Sequence, residues 1–363
     1  MSYRKLGIPA SAATVSLKAF NVIHDMSAVS VPAGGMMQPV LAGHETFHPP
    51  IFAFLIQHTT TGRRVMFDLG VRKDPENAAP PIAAAFAAGF IAMPVERDIV
   101  EQLIDDGVDL ESISAVICSH AHFDHFGDMS KFPASTELVF GQSTVVESHA
   151  VNPKSQILES DLAGRKLVLL NFDESPLKIG SFKAHDFFGD GSFYVLDVPG
   201  HLAGHVCALA RVTPTSFVFL GGDACHHVGV LRPTEKLHRH FPCPGGLLAT
   251  TQHSVSAADF PPLNAAGQFD LVARNEPMLH VPDGGLFEDP PTGRSSVTKM
   301  DVFDANEDVF VMLAHDESLV EALGPFPLSL DDWQAKGWKS RVTWAFLDEA
   351  NPAFRFKVKA NQT

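Results

Sequence analysis

The chain has 363 residues, 45% of them hydrophobic and 19% charged, with a formal net charge of -15 and a pI near 5.6. Such a composition supports a large apolar core and excludes a disordered chain, while the excess of carboxylates repels polyphosphates and so argues against a nucleic-acid partner. No stretch approaches the ~20 apolar residues of a membrane span and no basic segment leads into a long apolar run near the amino terminus, so no membrane partner is expected and the cytoplasm is the expected compartment.

The first dense Gly/Pro punctuation, from Val31 to Pro50, reads as loops. Within it Met36 and Met37 are flexible thioethers suited to lining a permissive apolar pocket, and His44 and His48 are loop histidines. The apolar run Arg64 to Phe67 reads as a strand ending in Asp68-Leu69-Gly70. Val95, Ile99, Leu103 and Ile104 then recur at helical spacing, with Gly107 as the stop. That helix feeds a strand from Ile113 to Cys118, the helix-to-strand passage of an α/β sandwich.

Directly after this strand, Ser119-His120-Ala121-His122-Phe123-Asp124-His125 packs three imidazoles and a carboxylate into one short turn. A strand that stops at such a cluster places metal ligands at a sheet edge, where a bound cation still meets substrate. A solvated polar loop is the alternative, and it is disfavoured because composition does not readily produce His-x-His-x-Asp-His. Ser135 to Ser160 is expected to hold another helix.

The same arrangement recurs further on. Phe193 to Val198 runs into Pro199-Gly200-His201, Phe217 to Leu220 into Gly221-Gly222-Asp223, and Val309 to Leu313 into Ala314-His315. Between Asp223 and His315 the prolines and glycines are too many for one regular element. The whole of 1–363 is therefore expected to be one catalytic domain, with 226–308 an insertion contributing walls to a substrate pocket. Trp333, Trp338 and Trp344 follow in a segment expected on the outside of the sandwich. Cys118, Cys207, Cys225 and Cys243 lack a paired framework, so thiols are expected rather than disulfides.

In order and local context, from about Val65 to about Asp316, this motif set resembles the metallo-β-lactamase-fold hydrolases. The resemblance implies a four-layer αββα sandwich of the α/β (α+β) class, with metals at one edge between two sheets. It implies that His120, His122 and His201 hold a first metal and Asp124, His125 and His315 a second. Asp223 would bridge them and Asp68 would orient a ligand from behind. Five imidazoles and two carboxylates without a thiolate suit two Zn²⁺ and also accept iron, manganese or cobalt. Redox diiron members of the family usually carry a glutamate where this chain has His122, which weakens an oxygen- or nitric-oxide-reducing reading.

The motifs look most like the lactonase branch, including acyl-homoserine lactonases and their fungal relatives. One departure stands out: where many bacterial lactonases place a tyrosine three residues past the bridging aspartate, this chain has His226, followed by His227. The expected activity is opening of a cyclic ester by attack of a metal-bridging hydroxide, with Asp124 passing a proton to the leaving group and His226 donating a hydrogen bond to substrate. A lactam or cyclic carbamate, or an acyl thioester, is the alternative substrate. With 28 Phe and two Tyr, the expected partner is a small apolar or aromatic cyclic acyl compound, contacted by Met36, Met37 and His227. A homodimer is compatible with this reading.

Overall fold

A computed structural model describes residues 2–360. Its strands form two large sheets whose residues alternate between faces with the period of two that β-geometry imposes. The first sheet runs in the order Leu328–Ser329, Val15–Asn21, Phe52–His58, Arg64–Phe67, Ile113–Ile117, Glu137–Gly141, Leu167–Leu170. It is antiparallel up to Arg64–Phe67 and parallel beyond. The second runs Val309–Met312, Phe217–Leu220, Val206–Arg211, Phe193–Asp197, Phe182–Asp186, Lys178–Ile179, with only the first pair parallel.

Alternation divides the core into two apolar clusters. Leu17, Phe54, Phe67 and Ile117 of the first sheet meet Phe193, Ala208, Val218 and Phe310 of the second in an inter-sheet core. The opposite faces carry Leu55, Met66 and Val116 against Leu103 of the helix Ile99–Asp105, and Phe219 and Val311 beside Met300 and Phe303 of the helix Pro290–Asp304. The result is the four-layer αββα sandwich that the resemblance implied. No helix among the described residues is long and apolar enough to cross a membrane. All four cysteines are free, with Cys118, Cys207 and Cys225 buried.

Three local expectations need correction. Ile104 is exposed, because the helix Ile99–Asp105 buries the face that carries Ile99, Val100 and Leu103 and leaves that position toward solvent. The segment from Ser135 to Ser160 is mostly the strand Glu137–Gly141 and turns, a helix beginning only at Glu159. Its apolar run is short and β-branched or aromatic enough to complete a parallel sheet. The tryptophans are interior: Trp333 stacks on Phe310 with ring centroids 5.5 Å apart, and Trp338 and Trp344 are also buried.

The long segment before His315 is tied to the turn that carries His201. The amides of Glu288 and Asp289 donate to the carbonyls of His201 and Gly200 at 2.9 and 3.0 Å. Gly200 has φ +133°, and a Cβ there would lie 2.3 Å from the backbone of Gly293, at the start of the helix Pro290–Asp304. Only glycine permits both the conformation and the approach. Gly200→Ala is expected to destabilise the protein by more than about 1 kcal/mol in denaturant unfolding, whereas Gly246→Ala, with open space around its Cβ, is not. Equal stability of the two variants would show that the contact yields freely.

Candidate metal centre

Five strands end at one place. Arg64–Phe67 delivers Asp68, Ile113–Ile117 the turn from His120 to His125, Phe193–Asp197 His201, Phe217–Leu220 Asp223, and Val309–Met312 His315. The strands are mainly apolar because both faces are covered, and these polar side chains follow just past their ends, at the edge between the sheets.

The side chains that could hold metal form two groups, His120, His122, His201 and Asp223 in one and Asp124, His125 and His315 in the other. In the first, His120 Nε2, His122 Nδ1 and His201 Nε2 lie 3.0, 3.1 and 2.9 Å from one another. In the second, His125 Nε2 and His315 Nε2 are 3.3 Å apart, and Asp124 Oδ2 is 3.5 Å from the latter. Asp223 divides its carboxylate between the groups. Its Oδ1 stands 3.2 and 3.1 Å from His125 and His315, while its Oδ2 stands 3.5 and 3.7 Å from His201 and His120.

This donor set fits metal. Burial holds His120 and His201 well below the usual histidine range and His122 down at about 4, so three neutral imidazoles aim nitrogens at one point. Neutral rings cannot satisfy three converging nitrogens with hydrogen bonds among themselves. A cation satisfies all three, and their separations approach the edge of roughly 3.3 Å expected for nitrogens ~2.0–2.1 Å from a tetrahedral zinc. In the second group burial opposes protonation of His125 and His315, but Asp223 and Asp124, with Asp68 at His125, outweigh it and raise both. Asp223 is in turn held well below the carboxylate range against its burial, chiefly by His125, His315 and His226.

Buried groups behind the ligands fix their orientation. Asp68, at φ +59°, accepts the Ser119 amide on Oδ1 at 2.6 Å and reaches His125 Nδ1 with Oδ2 at 2.9 Å. Non-glycine residues rarely adopt that backbone, and it costs of order 1–3 kcal/mol where structure enforces it. His315 Nδ1 is 3.0 Å from the Pro50 carbonyl oxygen, and Ser119 Oγ is 3.0 Å from His120 Nδ1. His205, which carries no role in the sequence reading, accepts the Asp223 amide on Nε2 at 3.0 Å, with Nδ1 2.9 Å from the Val198 carbonyl oxygen. That pairing requires a neutral ring, and burial pushes His205 to about 4. A histidine four residues past His201, opening the next strand, was its only sequence signal.

His226 lies at the centre. Its Nε2 is 3.2 Å from Asp223 Oδ2 without hydrogen-bond alignment, neither ring nitrogen has a partner, and the ring stacks over His315 at 5.8 Å. The expected pocket role of His227 is not met. Its Nε2 pairs with the Ala353 carbonyl at 2.7 Å, its Nδ1 accepts the Gly229 amide, and its ring packs on Phe346 and Phe356, leaving no group for a substrate. Met36 and Met37 are buried in the outer core cluster rather than displayed on a loop. Phe287, unnoticed in the sequence, sets its ring edge-on to His201 and His226 at 5.1 and 5.4 Å.

Residues 49–221 match the family model of the metallo-beta-lactamase superfamily. Across 359 residues, 96% of this chain and 90% of the relative, the sequence is 39% identical to the metallo-hydrolase mfmC of Annulohypoxylon moriforme. The chain belongs to the metallo-β-lactamase superfamily. It is also 35% identical over 370 residues, 98% of this chain and 87% of the relative, to the gamma-lactamase FDB1 of Fusarium pseudograminearum. The fold is shared with an N-acyl homoserine lactone hydrolase bearing N-hexanoyl-L-homoserine at its catalytic metal centre, with a TM-score of 0.57 at 17% identity, covering 87% of this chain and 99% of that one. This superfamily chain is a metal-dependent hydrolase.

Because Asp68 holds both the Ser119 backbone and the His125 ring, Asp68→Asn is expected to weaken metal retention roughly 10- to 100-fold in competition with a chromogenic chelator. Unchanged affinity would show that Asp68 serves only the backbone turn.

Proposed function

We propose that the chain is a dinuclear hydrolase that opens a cyclic ester or a closely related cyclic acyl compound. The observation that carries this reading is the division of Asp223 between two nitrogen groups, with His226, whose ring makes no hydrogen bond within the protein, beside it. Zinc in both positions best suits five imidazoles and two carboxylates, and iron, manganese and cobalt are the alternatives. Bound there, two such ions supply a water-derived nucleophile at neutral pH and Lewis-acid polarisation of the carbonyl.

The chain's own residues do the rest. Asp124 carries the proton to the departing atom, since its carboxylate is the ligand nearest solvent in the second group. His226 donates a hydrogen bond to the substrate oxygen that gains charge, a role open to it because neither ring nitrogen is hydrogen-bonded within the protein, although Nε2 stands 3.2 Å from Asp223 Oδ2. Asp68, Ser119 and His205 keep the ligand rings and Asp223 from rotating. The buried centre favours a compact ring over the extended arm of an acyl thioester. In this reading 1–363 act as one catalytic domain, with 226–308 closing one side of the centre.

A cyclic amide is the second reading, favoured by the near full-length likeness to a gamma-lactamase. Lactone and lactam rings matched in size and substituent, assayed with metal-loaded wild type and His226→Gln, test both. The lactone is expected to turn over faster, and the variant to keep its metals while losing roughly 10²–10³ in turnover, the scale of one oxyanion donor. Faster lactam opening would transfer the assignment to the amide, and wild-type turnover by the variant would remove His226 from the chemistry.

A further inference from the structure

A cavity of about 690 Å³ lies close to the metal centre but is lined by none of its candidate ligands; its walls combine Val230, Leu279 and Val281 with the charged Glu235, Arg274 and Asp301. A chain of apolar contacts links the two. Val281 lines the cavity, and Val281 and Phe287 both abut the position that a Cβ on Gly293 would occupy, at 3.7 and 3.0 Å. Phe287 in turn lies against His201 and His226.

Several backbone contacts hold those residues in register. The Leu286 amide donates to Gly35 O at 3.0 Å, the Glu288 amide donates to the carbonyl of His201 itself, and Glu288 Oε2 accepts the Ala203 amide at 2.7 Å. Arg294 binds both the Val281 carbonyl and Asp283. Burying a phenylalanine side chain stabilises a fold wherever it packs. Core packing alone does not require that its ring be fixed, by the ligand's own backbone, against two imidazoles of the reaction centre.

We propose that Phe287 is a specificity-determining partition: it bounds the substrate on the His226 side, admits compact rings to the metals, and keeps larger apolar bodies from extending into the neighbouring cavity. This rests on the metal-centred hydrolase reading, but the partition is measurable without turnover. Cobalt-loaded protein is titrated with acetohydroxamate and with 2-naphthohydroxamate, two metal-binding heads with small and large bodies, and binding is followed in the cobalt absorption spectrum.

Wild type is expected to prefer the small ligand. Phe287→Ala should bind the naphthyl ligand about tenfold or more tightly relative to the acetyl one, the scale at which an apolar pocket discriminates by volume. Phe287→Leu, which keeps an apolar side chain there, should fall between them, so the comparison survives if the alanine variant folds poorly. Metal content should be the same throughout. An affinity ratio unchanged across the three proteins, or no cobalt response to either ligand in any of them, overturns the partition. If the ratio shifts as expected while wild type opens no lactone or lactam, the partition stands and the ring-opening reading falls.

Discussion

A carboxylate buried between two groups of imidazoles is the interaction on which the rest of this structure depends. Asp223 is almost fully enclosed, yet each of its oxygens faces a different cluster of nitrogens. Burying such a charge without compensation costs several kcal/mol, so its surroundings must supply positive charge. Its backbone amide is fixed by His205, its turn passes through Gly222, where a Cβ would lie 2.9 Å from both His205 and Ser119, and its partners arrive on strands of both sheets. The centre therefore exists only when the sandwich is closed, which couples metal affinity to folding.

The two halves of the centre are supported differently. His125 is backed by the carboxylate of Asp68 and His315 by the carbonyl of Pro50, so both are oriented by acceptors. His201 has no partner at Nδ1 and is steadied instead by the backbone of Glu288 and the ring of Phe287. The long segment before His315 thus supports the half of the centre that the sandwich itself leaves less constrained.

What the sequence displayed follows from how signals are carried along a chain. Asp68, His120, His201, Asp223 and His315 each end an apolar run, and a strand's end is a local property, so these positions were legible without knowing how the strands pair. Contacts between distant loops were not. Met36 and Met37 looked like pocket residues because Gly and Pro surround them, whereas tertiary packing buries them. His227 differs from His226 by one position, and that step turns its ring toward Ala353 instead of Asp223. Phe287 sits among glycines, acids and prolines with no periodicity, so nothing local marked it. The mixed charge around the tryptophans points to surface, although Trp333 completes the inter-sheet core.

Elemental analysis after dialysis against metal-free buffer, on wild type, His315→Ala and Asp223→Ala, tests the shared-carboxylate centre most directly. Two ions per wild-type chain are expected, with one retained by His315→Ala and binding weakened at both positions in Asp223→Ala. A wild-type protein that is fully active with a single ion, or an Asp223→Ala variant that retains two, would contradict the shared-carboxylate centre.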